Sequence, residues 1–257
     1  MEIAGYIQRK SMLYQTGVEY GDYTMNHVLG CAHGCKYPCY AFMMKKRFGQ
    51  IDLYENWLKP YLVENTLELL DREIPRLKKK IKSVQLCFTT DPFMFGYDEI
   101  AEMSMKSIRK LNENGIKCCI LTKGLLPVEL ADMSKENEYG ITLISLNENF
   151  REKMEPFAAG YRERLESLRT LHDRRCKTWI SMEPYPTPNL IKQDLGSLLE
   201  NVGFVDKIIF GRMNYNPVVT KYTEHRHFYN ECATEVIRFC EMNKIQYHIK
   251  EKTITEE

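Results

Sequence analysis

The stretch PYLVENTLELLDREIPRLKKKIKSVQLCFTT, residues 60–90, joins a long segment of helical period to a short β-rich run. Leu62, Leu67, Leu70, Ile74, Leu77 and Ile81 recur every three to five residues, which predicts a helix opened by Pro60. Its acids (Glu64, Glu68, Asp71) come first and its bases (Arg76, Lys78, Lys79, Lys80) last, the order a helix dipole favours. SVQLCFTT (83–90) then reads as a buried strand.

The alternation repeats in both directions. Downstream come a helix over 98–112 ended by Gly115, CCILTKG (118–124), a short helix after Pro127 and ITLISLN (141–147). A helix over 162–174, TWISMEP (178–184), a helix over 189–202, KIIFG (207–211), a helix over 226–242 and IQYHIK (245–250) follow. Upstream, YTMNHVLG (23–30) supplies a first strand. Strand, helix, strand at spacings of roughly 25 to 40 residues predicts right-handed βαβ units and a parallel sheet. The reading is an α/β fold of about seven parallel strands, near a (β/α) barrel but short of eight.

Composition agrees with one large domain spanning 1–257: 44% of residues are hydrophobic and 28% charged, with no linker, repeat or low-complexity run. Thirty-six bases against thirty-five acids leave +1, so bulk charge does not advertise nucleic acid or an anionic membrane. The start, MEIAGYIQRKSMLYQ, has no apolar core after a basic segment, and no run approaches the roughly 18 apolar residues of a membrane span. A cytoplasmic protein is expected. Nine cysteines are odd for a disulfide framework and read as reduced thiols, core residues or metal ligands.

In parallel α/β folds the chemistry lies at the carboxyl ends of the strands. That rule selects Cys31 to Cys39, then Thr89, Thr90 and Asp91, then Thr122 and Lys123, Asn147, Glu183, and Gly211 with Arg212. The first of these, GCAHGCKYPCYA (30–41), places three cysteines four residues apart, and Gly34 with Pro38 makes the segment a loop. Three packed free thiols fit poorly in a loop with two glycines, a proline, a lysine and a histidine. Structural zinc as Cys₃His with His33 is a second reading, although zinc sites usually add a distant ligand pair and only His225 and His227 approach one. A [4Fe–4S] cube is the third: three irons bind protein and the fourth stays open to a substrate or cofactor.

With those residues in view, the chain resembles the radical S-adenosylmethionine (SAM) superfamily, whose signature is C-x₃-C-x₂-C after the first strand of a partial (β/α)₆ TIM-like barrel. It is most similar to the branch containing spore photoproduct lyase, where the loop runs G-C-x-H-x-C-x-Y-C-Y-A. Gly30, Cys31, His33, Cys35, Tyr37, Cys39, Tyr40 and Ala41 match, and Pro38 is the departure, making the spacing C-x₃-C-x₃-C. TTDPF (89–93), TKG (122–124) and NENFREKMEPFAAGYRERLESLRTL (147–171), with Glu155-Pro156 and Arg162, resemble further motifs of the family, so the resemblance covers about 20–215.

The resemblance implies a [4Fe–4S] cluster on Cys31, Cys35 and Cys39, SAM as cofactor, a reductant such as flavodoxin or ferredoxin, and a 5′-deoxyadenosyl radical that abstracts hydrogen from substrate. It implies that Tyr37 and Tyr40 flank cluster or adenine, and that Asp91, Thr89 or Thr90 accepts from the SAM ammonium. Lys123 or Arg162 would pair with the SAM carboxylate, Ser145 and Asn147 would lie near ribose, and Glu183 would line the fifth strand's end. Each also has a plainer use: packing for the tyrosines, strand-end turns for Thr and Asp, solvated charge for the bases, and a turn cap for Glu183 before Pro184. Cys232 and Cys240 share an apolar stripe with Phe228, Val236 and Phe239, and Cys118 and Cys119 sit in a strand. A thiol at Cys87, near the lumen, would be placed to return a hydrogen atom to a product radical. GRMNYNPVVTKYTEHRHFYNE (211–231) opens a substrate-side extension over 212–257; the candidates are a small molecule, a peptide or a nucleic-acid base. A structural zinc or iron–sulfur protein is the non-enzyme alternative.

Overall fold

The computed structural model describes residues 1–19 and 21–255. Its strands in chain order are β1 (Gly5–Ile7), β2 (Tyr14–Gln15), β3 (Tyr23–Met25), β4 (Val28–Leu29), β5 (Tyr61–Val63), β6 (Ser83–Leu86), β7 (Lys117–Thr122), β8 (Glu138–Thr142), β9 (Lys177–Tyr185), β10 (Lys207–Arg212) and β11 (Gln246–Ile249). The helices are α1 (Tyr40–Arg47), α2 (Tyr54–Trp57), α3 (Thr66–Leu77), α4 (Asp98–Glu113), α5 (Glu148–Met154), α6 (Tyr161–Asp173), α7 (Leu195–Val202), α8 (Pro217–Thr220) and α9 (His225–Asn243).

The main sheet runs β11-β10-β9-β8-β7-β6-β3-β2, parallel from β3 to β11 with β2 antiparallel at one edge. This is the expected set of seven parallel strands, curled into a partial barrel that does not close. Strand alternation sorts the side chains. Ile120, Tyr139, Ile141, Ile180, Met182, Ile208 and Phe210 join one core with the helix residues Leu168, Leu171, Leu198, Leu199 and Val236. Cys232 and Cys240 belong to that core, as their helical stripe predicts.

The intervening positions, including Cys119, Gly140, Trp179 and Lys207, share the opposite face, which carries an ion-pair group among its apolar residues. Glu138 accepts from Lys117 at 3.4 Å and from Lys207, whose ammonium lies 5.2 Å from the centre of the Trp179 ring. Trp179 rests directly on Gly140, where an added Cβ would stand 2.4 Å from the indole. The strand register sets Gly140 opposite Trp179, so glycine makes room for the ring.

Several boundaries differ from expectation for local reasons. Pro60 does not open a helix: residues 61–63 form β5, the middle strand of a small sheet ordered β1-β5-β4. Thr66 Oγ donates to the Val63 carbonyl at 2.6 Å and turns the chain into α3, so the helical period holds only from Leu67. The strand expected over 23–30 is divided by Asn26 and His27, which sends β3 to the main sheet and β4 to the small one. The strand expected over 141–147 is β8, three residues earlier; past it Leu143 N–H still reaches the Ser181 carbonyl, before Ser145 Oγ accepts from Asn147 N–H. The helix expected from 189 starts at Leu195, because Asp194 caps it by accepting from Gly196 and Ser197 N–H. The turn after Pro127 is a 3₁₀ helix, Val128–Asp132.

The close fit of Trp179 on Gly140 makes a prediction. Gly140→Ala should destabilise the fold by about 1–3 kcal/mol, the usual cost of forcing extra volume into a packed interior. The denaturant midpoint should drop with an unchanged slope; a midpoint equal to wild type would contradict the packing described here.

Candidate functional site

The cysteine loop leaves β4 through Gly30, whose φ of +90° and contact with the Lys59 carbonyl, 2.6 Å from where a Cβ would sit, admit glycine only. Cys31 N–H then donates to the Trp57 carbonyl at 2.8 Å, and Tyr54 hydroxyl donates to the Cys35 carbonyl at 2.7 Å. Gly34, at φ +68°, passes under the Phe157 ring, and Lys36 N–H donates to the Met154 carbonyl at 2.8 Å. Pro38 favours an extended residue before it, and Cys39 is the extended N-cap of α1, accepting from Met43 N–H at 2.9 Å. All three cysteines are free residues of intermediate exposure.

Beneath the loop lies the carboxylate of Glu155, the first residue of the Glu-Pro pair. Glu155 is wholly buried and accepts from Lys123 Nζ at 2.6 Å, from Arg164 at 2.7 Å and from the Tyr37 hydroxyl. Burial alone would raise its pKa, but the charges of Lys123 and Arg164 outweigh that and hold it down at about 2. Lys123 Nζ also reaches the Tyr37 oxygen at 3.0 Å and Cys35 Sγ at 3.6 Å, and sits 4.7 Å from the Tyr37 ring centre. Burial pushes the Cys35 thiol up to about 11, against the pull of Lys123.

Asp91 anchors the other side. Its Oδ1 accepts from Phe93 N–H at 2.9 Å and Thr122 Oγ at 2.6 Å, and its Oδ2 from Lys123 N–H at 2.7 Å. His33 Nε2 accepts from Phe95 N–H at 3.1 Å, which leaves the proton on Nδ1 facing Asp91 Oδ2 at 3.6 Å. Nε2 is thus occupied and Nδ1 faces Asp91, an arrangement that does not present His33 as the fourth member of a Cys₃His zinc set. Among the described residues no group of three or more His, Cys, Asp or Glu side chains converges to hold a single metal ion.

A third buried chain starts at Cys87, which adopts φ +54° at the end of β6. Ser104 Oγ donates to the Pro92 carbonyl at 2.5 Å and therefore accepts from His27 Nε2–H at 2.8 Å. His27 Nδ1 is then left to accept from the Cys87 thiol at 3.5 Å. Burial raises the thiol to about 12 and, with Arg9, lowers His27 to about 3, so both are neutral.

The remaining expected residues are spread out. Thr89 binds Asn26 Oδ1 through both its N–H and hydroxyl, and Thr90 Oγ lies 3.4 Å from the Val28 carbonyl. Ser145 is buried, while Asn147 is exposed and caps α5 by accepting from Phe150 N–H at 3.1 Å. Tyr40 is 61% exposed on α1. Glu183 is half-buried on β9 beside Gly211, and burial raises its carboxyl pKa despite Lys250. Arg162 is exposed on α6 and lines an open surface cavity with Phe157 and Glu163, whereas Arg164 is the buried base. Tyr161, Leu168 and Leu171 fix the inner face of α6, and Arg164 falls on their helical period; that signal was present in the sequence.

Comparison with known proteins adds the following. The family model for the radical SAM superfamily matches residues 25–202. A protein of Acidianus two-tailed virus, ORF301, is 26% identical over 196 residues, covering 72% of this chain and 64% of its own length. MJ0683 of Methanocaldococcus jannaschii is 28% identical over 189 residues, covering 72% of this chain and 68% of its own. Among solved structures, spore photoproduct lyase complexed with dinucleoside spore photoproduct matches with TM-score 0.69 and 13% identity over 95% of this chain and 80% of that one. Streptococcus suis SuiB matches with TM-score 0.52 and 15% identity over 72% of this chain and 42% of its own. At such identities the structural matches establish a shared fold.

Two predictions follow from the buried charges. Arg164→Met leaves Glu155 short of a partner and should destabilise the protein by about 3–5 kcal/mol, whereas Arg162→Met should change it by under about 0.5 kcal/mol. Equal effects in urea titrations would contradict the assignment. The second concerns acid. His27, lowered to about 3 from 6.5, contributes stability present above pH 6.5 that declines as pH falls. Glu155, lowered to about 2 from 4.5, adds a further loss below pH 4.5. The urea midpoint should therefore fall in two stages, and Glu155→Gln should flatten the lower one; an unchanged lower slope in that variant would refute the second stage.

Proposed function

The chain belongs to the radical SAM superfamily, whose members use a [4Fe–4S] cluster and S-adenosylmethionine, and from that premise we propose that its cysteine loop holds the cluster and its lumen the substrate. The carrying observation is three free cysteines of intermediate exposure on one rigid loop with a buried lysine beside them and His33 committed elsewhere. That donor set fits a cube bound through three irons better than a tetrahedral zinc. When bound, the cluster and SAM supply a one-electron cleavage to methionine and a 5′-deoxyadenosyl radical, which takes a hydrogen atom from substrate.

The chain's own residues then divide the work. Cys31, Cys35 and Cys39 are the ligands, deprotonated as they bind metal. Lys123 points at the Cys35 sulfur and offsets negative charge there, and Glu155 with Tyr37 fixes its ammonium. Of the two bases expected for the SAM carboxylate, Lys123 is buried against the Cys35 sulfur and Arg162 is exposed in the open cavity that Phe157 lines. Asp91 ties the ends of β6 and β7 together through Thr122, Phe93 and Lys123, and its remaining acceptor capacity, with the hydroxyls of Thr89 and Thr90, is what would meet the SAM ammonium. Tyr40 flanks the loop from outside, Ser145 and Asn147 define the ribose side, and Glu183 lines the lumen. Cys87, with its hydrogen on sulfur and His27 behind it, is the candidate for returning a hydrogen atom to a product radical.

We read 1–257 as one radical SAM domain, with 212–257 shaping the substrate side. No helix among the described residues is long and apolar enough to cross a membrane. A cytoplasmic setting suits the reduced thiols and a flavodoxin or ferredoxin reductant. The substrate is a small molecule, a peptide or a nucleic-acid base.

Anaerobically reconstituted protein given dithionite and SAM should form 5′-deoxyadenosine and methionine, and Cys31→Ala, Cys35→Ala or Cys39→Ala should each abolish both. A verified cluster that yields neither product would leave the non-catalytic iron–sulfur reading; activity surviving in Cys39→Ala would remove that residue from the ligand set.

A further inference from the structure

One base beside the first barrel strands has no partner. Arg9 follows β1, and Asn65 pins its backbone twice: Arg9 N–H donates to Asn65 Oδ1 at 3.1 Å, and the Arg9 carbonyl accepts from Asn65 Nδ2 at 2.9 Å. The residue is half-buried, yet among the described residues its guanidinium makes no hydrogen bond or ion pair. Of the acids in flanking segments, Glu73 accepts from Met12 and Leu13 N–H and lies 4.0 Å from Arg72. Glu64, and Asp52 and Glu55 beyond α1, are exposed and form no ion pair with Arg9. A cation drawn partly out of water without a counter-charge is costly to keep, which separates Arg9 from the exposed, solvated bases Lys78, Lys79, Lys80 and Lys82.

Its surroundings are the lumen side of those strands. Tyr14 pairs with Thr24 and Thr24 with Gln85, whereas the alternate residues Met25, Val84 and Leu86 belong to the core under the helices. Tyr14 therefore faces the lumen; its hydroxyl accepts from Asn26 Nδ2 and keeps its own proton to donate. Burial raises the Tyr14 hydroxyl and the Cys87 thiol and lowers His27, and the charge of Arg9 opposes the first two shifts and adds to the third. A second cation stands near. Lys45 is half-buried on α1 and donates to the Gln50 side chain at 2.8 Å. Burial, then the charge of Arg9, lowers its ammonium below the ordinary value. Two cations thus bear on each other, and among the described residues no carboxylate pairs with either.

Resting on the radical SAM reading for where substrate lies, we propose that Arg9, Lys45 and Tyr14 form a phosphate-binding subsite of the lumen and that the substrate is a phosphate monoester. Two neighbouring cations match such a group, which carries about −1.5 to −2 charge at pH 7, better than a carboxylate or a phosphodiester of single charge. Arginine brings a planar fork, lysine a point charge and tyrosine a neutral donor, and three donors from three segments suit the oxygens of a tetrahedral anion. A phosphate held there sets the rest of the substrate beside Cys87, the candidate hydrogen donor, on the same face of the sheet.

The test titrates inorganic phosphate, dimethyl phosphate and acetate into the cluster-loaded protein at mildly alkaline pH, where phosphate is dianionic, and follows binding by NMR line broadening of each anion. Phosphate should bind saturably, and about tenfold or more tightly than either singly charged anion. Arg9→Gln should weaken phosphate binding about tenfold and Lys45→Gln by somewhat less, whereas Arg76→Gln, at an exposed base on α3, should leave it unchanged. Wild-type phosphate affinity in both Arg9→Gln and Lys45→Gln would overturn the proposal, and so would an equal loss in Arg76→Gln or no saturable phosphate binding in the wild type. Acetate or dimethyl phosphate binding as tightly as phosphate would also overturn it, by removing the match to a doubly charged group. The titration does not depend on catalysis: if dithionite and SAM yield no 5′-deoxyadenosine in the wild type, the radical SAM reading fails, and the phosphate site is decided by the titration alone.

Discussion

The architecture of the site depends on one buried carboxylate. Glu155 sits where four segments meet: Tyr37 comes from the cysteine loop, Lys123 from the end of β7, Arg164 from α6, and Glu155 itself from the turn after α5. Arg164 adds two further ties, donating to the Thr142 carbonyl at the end of β8 at 3.0 Å and to the Ala159 carbonyl at 2.9 Å. Burying such ions is costly unless every lone pair and proton is used, and here nearly all are. The value of the arrangement is positional. A loop with two glycines and a proline would otherwise sample many shapes, and this carboxylate gives its middle one address against the sheet.

Asp91 performs the matching task on the other flank. Its three hydrogen bonds join the segment after β6 to the end of β7, and His33 holds the loop to Phe95 by an N–H that points at its ring. Lys123 is the shared member: its backbone N–H belongs to the Asp91 side and its ammonium to the Glu155 side. A lysine fixed at both ends cannot wander from Cys35. That rigidity suits the role proposed for it, tuning an adjacent sulfur.

The sequence displayed much of this, unevenly. Strand and helix periods were legible because each βαβ unit repeats a local rule, and the seven parallel strands appear in the expected order, with β3 shortened and β8 shifted by three residues. The cysteine loop was legible because its residue types suit neither core nor ordinary surface. What escaped was set by contacts between distant segments. Residues 61–63 follow a helical spacing yet pair as a strand with β1 and β4, a choice only the partner strands determine. Arg162 and Arg164 are two residues apart on one helix, so residue type could not separate them; the period of Tyr161, Leu168 and Leu171 did hold the answer. Asp91 was expected to face a ligand because of its type and position, and those properties equally suit a carboxylate that closes a turn, which its three local donors show it also does.

Net charge was the least informative quantity, for a reason the structure makes plain. The sum of +1 conceals three separate arrangements. Within the barrel, Glu138 lies between Lys117 and Lys207; under the loop, Glu155 lies between Lys123 and Arg164; in both, acid and base cancel inside the fold. Around α1 the bases have no such counterpart. Charges that neutralise one another in the interior shape the fold and contribute little field outside it, whereas exposed charges of one sign act over about a Debye length, roughly 8 Å at physiological salt. Among the described residues, exposed bases with no ion pair stand both around α1 and in the run Lys78, Lys79, Lys80 and Lys82, so the field outside the protein is set by such segments although the whole chain looks neutral.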